Sequence, residues 1–160
     1  MDDKAFRNLM GQFATGVTVV TTNVDGDLHG MTANAVTSVS LDPLLLLVCV
    51  VRGNNCHQQL QKSSHFAVNI LSAEQEDVSN TFARSGDPEA GELRGADYQL
   101  GAEGSPILAG TLGWVECRKS EVLAGGDHDI FVGEALSGEI LGGDPLLFWG
   151  GGYRRIASVD

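Results

Sequence analysis

Gly30-Met31-Thr32-Ala33-Asn34-Ala35-Val36-Thr37-Ser38-Val39-Ser40-Leu41-Asp42-Pro43 decides what kind of molecule this chain forms. Gly30, Ala33 and Ala35 are small enough to let a backbone approach a flat ligand closely. Thr32, Asn34, Thr37, Ser38 and Ser40 supply neutral hydrogen-bonding groups, which suit a ring whose edge carries carbonyls and nitrogens. On composition alone the blander alternative is favoured, a barrel strand with one solvated polar face, because Thr and Ser alternate commonly in strands.

The flanks support a β-rich fold. Upstream, Val17-Thr-Val-Val-Thr-Thr22 is β-branched throughout, a strand signal, and Asp25-Gly26 marks a hairpin turn to the next strand. Phe6, Leu9, Met10 and Phe13 follow helical spacing, so residues 3–14 read as an amphipathic helix. Downstream, Leu44–Val51 is apolar on both faces and reads as a central strand. Gly53-Asn54-Asn55 forms a turn before a short helical pattern around His57–Lys62, and Phe66–Leu71 is a further strand. Ser72-Ala-Glu-Gln75 has the form of a capping box opening a helix to about Ala83. Residues 85–105, rich in Gly, Glu and Asp, read as a long surface excursion. Three more strands follow over 112–122, 129–140 and 146–149, with Gly125-Gly126-Asp127 as a tight turn. No repeat, linker or low-complexity tract interrupts the pattern, so residues 1–160 are expected to form one domain. Strands outnumber helices, which predicts a closed or partly closed antiparallel barrel with two or three short helices outside it.

Composition removes several classes of function. Of the 160 residues 42% are hydrophobic and 19% charged, a globular balance. The longest apolar run, Leu44–Val51, falls far short of the roughly 20 residues of a spanning helix, so no membrane association is expected. The acidic start, MDDKAFRNLMGQF, shows no secretion signal. Three cysteines without a CxxC pair fit reduced thiols and a cytoplasmic setting. Ten Lys+Arg against 21 Asp+Glu leave a formal charge of −11 and no basic stripe, so no nucleic-acid partner is expected. Any phosphate must then be held locally, by backbone N–H groups and a few arginines.

Four further constellations are candidates for chemistry. In Arg52-Gly53-Asn54-Asn55-Cys56-His57, Gly and Asn tolerate positive φ, so successive N–H groups can converge into an anion nest beside Arg52. Phe82-Ala83-Arg84 ends a helix, where a cation complements the dipole whatever else it does. His128 lies in the turn Gly125-Gly-Asp-His-Asp129, and a loop at a barrel mouth is a usual place for function. Trp149-Gly-Gly-Gly-Tyr153 joins aromatic surface to a loose turn, consistent also with a plain strand pair. No GxGxxG follows a strand, and GxxxxGK[ST], HExxH and GxSxG are absent. His29, His57, His65 and His128 have no metal-ligand spacing with the cysteines, so no metal is expected.

Taken in order, these segments resemble the short-chain flavin reductase family, FMN-binding split-barrel proteins that serve as reductase components of two-component flavin-dependent monooxygenases. The resemblance runs from FATGVTVVTT at residue 13 to the GGGY of 150–153. GMTANAVTSVSLDP (30–43), FAVNIL (66–71), TFAR (81–84) and GDHDIFVGEA (126–135) carry it, through their order and spacing together. It implies a mainly β fold, a split antiparallel Greek-key barrel with a few flanking short helices. It also implies that Thr32, Ala33, Asn34 and Ala35, with Ser38, lie along the flavin ring and ribityl chain. Cys49, Val50, Val51, Arg52, Gly53, Asn54, Asn55 and Cys56 would wrap the ring and phosphate through backbone contacts. Phe82, Ala83 and Arg84 would meet the phosphate or adenine end, and His128 and Tyr153 would border the nicotinamide. The chain departs from the family at Leu44, where a second proline is common, and at Asn54 and Cys56, where Ser and Thr are frequent. The loss of those hydroxyls leaves more of the phosphate to N–H groups and arginine.

The implied activity is hydride transfer from NADH or NADPH to FMN or FAD, with no obligatory catalytic side chain. A homodimer is expected, delivering diffusible reduced flavin to a monooxygenase component. Two alternatives share the barrel: a non-catalytic flavin-binding or carrier protein, and an oxidase of a pyridoxine-type phosphate. The Gly-Asp-His turn and the lack of a strongly basic phosphate pocket weigh against the second.

Overall fold

The structure, a computed structural model, describes residues 1–84 and 93–157. In chain order its elements are α1 (Asp3–Met10), β1 (Thr15–Gly16), β2 (Thr18–Val24), β3 (Asp27–Ala33), β4 (Val36–Leu41), β5 (Leu44–Val51), α2 (Asn55–Lys62), β6 (His65–Ile70), α3 (Glu76–Ala83), β7 (Tyr98–Leu100), β8 (Pro106–Leu108), β9 (Gly113–Gly125), β10 (His128–Ile140), β11 (Leu147–Trp149) and β12 (Gly152–Arg154). Seven strands make one antiparallel sheet in the order β3-β2-β6-β9-β10-β5-β4. A three-stranded sheet, β1-β11-β12, and the pair β7-β8 complete the β structure.

The stretch 30–43 forces the large sheet to curl. It contributes the end of β3 and all of β4, which stand at opposite edges of the order, yet only Asn34 and Ala35 join them. Laid flat, strands about 4.8 Å apart would hold those edges roughly 29 Å from each other. The three steps from Ala33 to Val36 span about 11 Å at most. The edges are therefore brought together with no ladder between them, which makes the sheet a barrel split along one seam.

Burial follows the two-residue period of a pleated strand. On β2, Val20 faces the barrel interior with Val48, Val50, Phe66, Val68 and Phe131. Val19 faces outward into a second apolar layer with Leu28, Leu71, Phe82, Leu108 and Leu146. α2 sends Cys56 and Leu60 into the barrel core, while α3 gives Phe82 to the outer layer. Asn69, fully buried, fastens β8 to the barrel: its Nδ2 donates to the Val19 carbonyl at 3.1 Å and its Oδ1 accepts from the Leu108 N–H at 2.8 Å.

Local signals located the β2–β3 hairpin well. Asp25 and Gly26 take φ of 54° and 90°, the left-handed pair that a two-residue type I′ turn requires. Several boundaries differ from expectation. α1 ends at Met10, and Gln12 and Phe13 continue only as tight turns onto Leu9 and Met10. The small-residue stretch is split between two strands rather than forming one. β5 is second from an edge rather than central, and of its residues only Val48 and Val50 are buried. Gln75 Oε1 does accept from the Ser72 N–H at 3.1 Å, but that box closes a turn, and the helix begins one step later at Glu76. Of the expected excursion over 85–105, residues 85–92 lie outside the described residues. Within the remainder Leu93 and Ser105 are buried and Tyr98–Leu100 pairs with β8. His128 is the first residue of β10, not the tip of its turn.

Candidate functional site

A cleft of about 420 Å³ opens along β3, between the start of α2 and the end of α3. Its size falls within the usual range for small-molecule and cofactor sites. His29, Gly30, Met31 and Thr32 form one wall, Asn54, Asn55 and Cys56 a second, and Phe82, Ala83, Arg84 and Arg94 a third. β3 is an edge strand, so its outward N–H and C=O groups take no ladder bond among the described residues. These are neutral, fixed hydrogen-bonding groups beside apolar Met31 and Phe82.

Each wall is held by its own local chemistry. Thr32 Oγ1 donates to the Ser79 carbonyl at 2.6 Å, binding β3 to α3. Ser79 Oγ lies 2.8 Å from Tyr153 Oη, which also donates to Asn80 Oδ1 at 3.2 Å. Asn54 caps α2, its Oδ1 accepting from the His57 N–H at 2.7 Å. The Asn that replaces a hydroxyl residue therefore supports the helix start, the end of a helix that favours an anion. Cys56 lines the cleft and is itself buried, and that burial pushes the thiol up to about 12.

The sequence-derived positions divide into groups. Thr32, Asn54, Asn55, Cys56, Phe82, Ala83 and Arg84 meet around the cleft. Ala33 and Val50 are buried in the barrel core. Asn34 and Ala35 are exposed at the seam, where the Asn34 amide donates to Thr15 Oγ1 at 3.2 Å and the Ala35 carbonyl accepts from the Cys49 N–H at 3.0 Å. Ser38 is exposed on β4; Cys49 is half-buried and Val51 exposed on the neighbouring β5. Arg52 and Gly53 lead into α2, with the Arg52 N–H donating to the Asp127 carbonyl at 3.0 Å. The Arg52 guanidinium is paired with Asp129, through Nε at 2.8 Å and Nη2 at 2.6 Å. His128 sits on Asp127 at 2.7 Å, an interaction that holds the Asp127 carboxyl below its usual value. His128 and Tyr153 belong to different sheets.

Three cleft residues escaped sequence reasoning: His29, Met31 and Arg94. Met31 and His29 could have been found by following β3 past its small residues. Arg94 lies in a Gly- and Glu-rich stretch that carried no periodic signal. Asp129, the partner of Arg52, was masked by the histidine beside it.

The residues present fit a flavin. The cleft offers backbone groups along one edge, a methionine and a phenylalanine for a ring face, and Arg84, Arg94, His29 and a capped helix start for a phosphate. In a chain of charge −11, that local gathering of donors is the feature an anionic cofactor needs.

Comparison with known proteins agrees. The family described as flavin reductase like domain matches residues 10–157. The chain is 40% identical over 156 residues to the FMN reductase (NADH) SmoA of Agrobacterium fabrum, covering 98% of this chain and 87% of that protein. It is 38% identical over 160 residues to the flavin-dependent monooxygenase reductase subunit HsaB of Mycobacterium tuberculosis, covering 98% of this chain and 83% of that one. It spans about half, 48%, of a probable flavin reductase of Rhizobium meliloti that is 42% identical over 153 residues. The solved structure of the Streptomyces globisporus NADH:FAD oxidoreductase SgcE6, in complex with NAD and FAD fragments, superposes with a TM-score of 0.88 at 40% identity, covering 97% of this chain and 93% of that one.

Proposed function

The chain belongs to the flavin reductase-like domain family, and from that premise we infer that it is an NAD(P)H-dependent flavin reductase supplying reduced FMN or FAD to a partner monooxygenase. The observation that carries this reading is the cleft, which joins an edge strand, a helix N-terminus and an arginine-bearing helix end in one site of flavin size. We read residues 1–160 as one unit with this activity, acting in the cytoplasm. No helix among the described residues is long and apolar enough to cross a membrane.

A flavin held in the cleft by these residues would supply the redox chemistry, hydride transfer from a nicotinamide. The chain binds and orients. Thr32, Ala33, Asn34 and Ala35, with Ser38, would follow the ring and ribityl chain. The segment from Cys49 through Cys56 would turn around the ring and phosphate, its helical N–H groups opposing negative charge. Arg84 would neutralise phosphate, while Phe82 and Met31 exclude water. His128 would position the nicotinamide, and Tyr153 would border it from the α3 side. No side chain is required as a nucleophile or an obligatory acid. Holding the two ring systems in register is the protein's share of the rate.

A homodimer belongs to the same reading. On α1, Phe6 and Leu9 are 56% and 57% exposed, Phe13 just beyond it is 72% exposed, and Leu41 and Leu44 add to the uncovered apolar surface. A second copy would bury these side chains, and reduced flavin would leave by diffusion to the monooxygenase.

Purified protein mixed with NADH or NADPH and free FMN or FAD tests the activity. Loss of the nicotinamide absorbance band that requires both protein and added flavin supports the reductase. Flavin binding without that loss supports a carrier and overturns the reading. Sedimentation equilibrium tests the dimer, and a monomer at micromolar concentration defeats it.

A further inference from the structure

Asp129 lies outside the cleft lining, yet it ties together both ends of the segment that forms the cleft's second wall. On β10 it stands opposite Val50 of β5, so Arg52 is its diagonal neighbour across the pair. Its Oδ1 accepts from Arg52 Nε and Nη2, at 2.8 and 2.6 Å, immediately before the Gly53–Asn54 turn. Its Oδ2 meets His57 Nε2 at 2.7 Å, in the first turn of α2, and accepts from Gln61 Nε2 at 3.3 Å one turn further on. The His57 ring is fixed in turn against Phe131, edge-on at 5.7 Å between centroids. One nearly buried carboxylate thus takes donors from before the turn, from the helix start and from the second helical turn.

We propose that Asp129 is a positioning residue for flavin binding: through Arg52 and His57 it sets the attitude of the α2 N-terminus, and so of the Asn54–Cys56 wall. This rests on the flavin reading of the cleft. Gly53, at φ 85°, gives the segment a turn with little steric restraint of its own, so the restraint must come from its ends. Alternation places His128 and Asp129 on opposite faces of β10. The Gly-Asp-His-Asp run therefore serves two tasks, with His128 directed away from the carboxylate that steadies the cleft.

The test is FMN affinity of the purified full chain, read by quenching of flavin fluorescence, with FAD in parallel. Asp129→Asn keeps the side-chain shape and removes the charge. Its FMN Kd is expected to rise about tenfold, the scale at which orienting partners act. The NADH KM at saturating FMN should stay within about twofold of the parent, a split that general loss of structure would not produce. Asp129→Glu should recover most of the lost affinity. Because Asp129 acts through Arg52, the double variant Asp129→Asn/Arg52→Met should bind FMN no more weakly than the worse single variant. A Kd for Asp129→Asn within about twofold of the parent, whatever happens to its thermal stability, overturns the proposal. So does full additivity in the double variant. If Asp129→Asn does not fold, Arg52→Lys and His57→Gln each leave one arm of the clamp, and unchanged FMN Kd in both overturns it equally. A parent that binds neither flavin overturns the flavin reading itself, whereas a binding parent with an unaffected Asp129→Asn overturns only the role of Asp129.

Discussion

The ring of Phe82 packs directly against the backbone of Gly30: a β-carbon on Gly30 would fall 2.6 Å from Phe82 Cε1 and 2.7 Å from Cδ1. The first residue of the small-residue stretch thus makes room for a ring of the protein itself, one that also lines the cleft. Gly30→Ala would drive Phe82 out of the outer apolar layer. The expected cost is about 1–3 kcal/mol, as for other overpacked sites. Urea denaturation should report that loss, and FMN affinity should fall with it because the Phe82–Arg84 wall moves.

Glu116 is fully buried and accepts from the backbone N–H groups of Glu103 at 3.1 Å and Ser105 at 2.9 Å. Gly101 packs on the same carboxylate so closely that a β-carbon would lie 2.5 Å from Oε2. Glu116→Gln keeps one acceptor oxygen and turns an NH₂ group toward a donor. It should cost about 1–3 kcal/mol, which for a chain of this length lowers Tm by several degrees. Scanning calorimetry of the two proteins measures it.

Asp129 titrates below its usual value of 3.8 because of hydrogen bonds from Arg52 and His57. A carboxyl whose folded value is depressed binds protons more readily when unfolded. Its contribution to stability is therefore complete above the unfolded value and disappears as pH falls through the lower, folded one. The Tm difference between the parent and Asp129→Asn should shrink as pH falls below 3.8. A difference that grows as pH falls below 3.8 would contradict this linkage.

Burial raises the thiols of Cys56 and Cys117 to about 12, that of Cys117 with help from the neighbouring Glu116 charge. At pH 8 such a thiol is a thiolate only about once in ten thousand molecules. Iodoacetamide should therefore modify at most Cys49 in the native protein, and all three cysteines after unfolding. Intact-mass measurement before and after denaturant distinguishes the two patterns.

Much of this molecule was legible in short windows of sequence. The Asp25-Gly26 turn, the β-branched run of β2 and the paired strands around Gly126-Asp127 depend on backbone preferences that neighbouring residues settle among themselves. The small and hydroxyl-bearing stretch of 30–43 likewise declared a run of neutral donors and acceptors. The motifs of 30–43, 81–84 and 126–135, taken in order, pointed to the flavin reductase family that whole-chain comparison supports.

The tertiary structure decided what those residues face. A window around Gly30 cannot show that its missing side chain accommodates Phe82, because that contact exists only once α3 has packed over β3. Asp129 looked incidental beside His128 until the β5–β10 pairing placed it diagonally across from Arg52. Closure of the barrel follows from the two residues between β3 and β4 only when the strands have an order. Local preference is written in neighbouring residues. Pairing of distant edges, and the burial that gives a carboxylate or a glycine its task, comes from contacts that no single stretch contains.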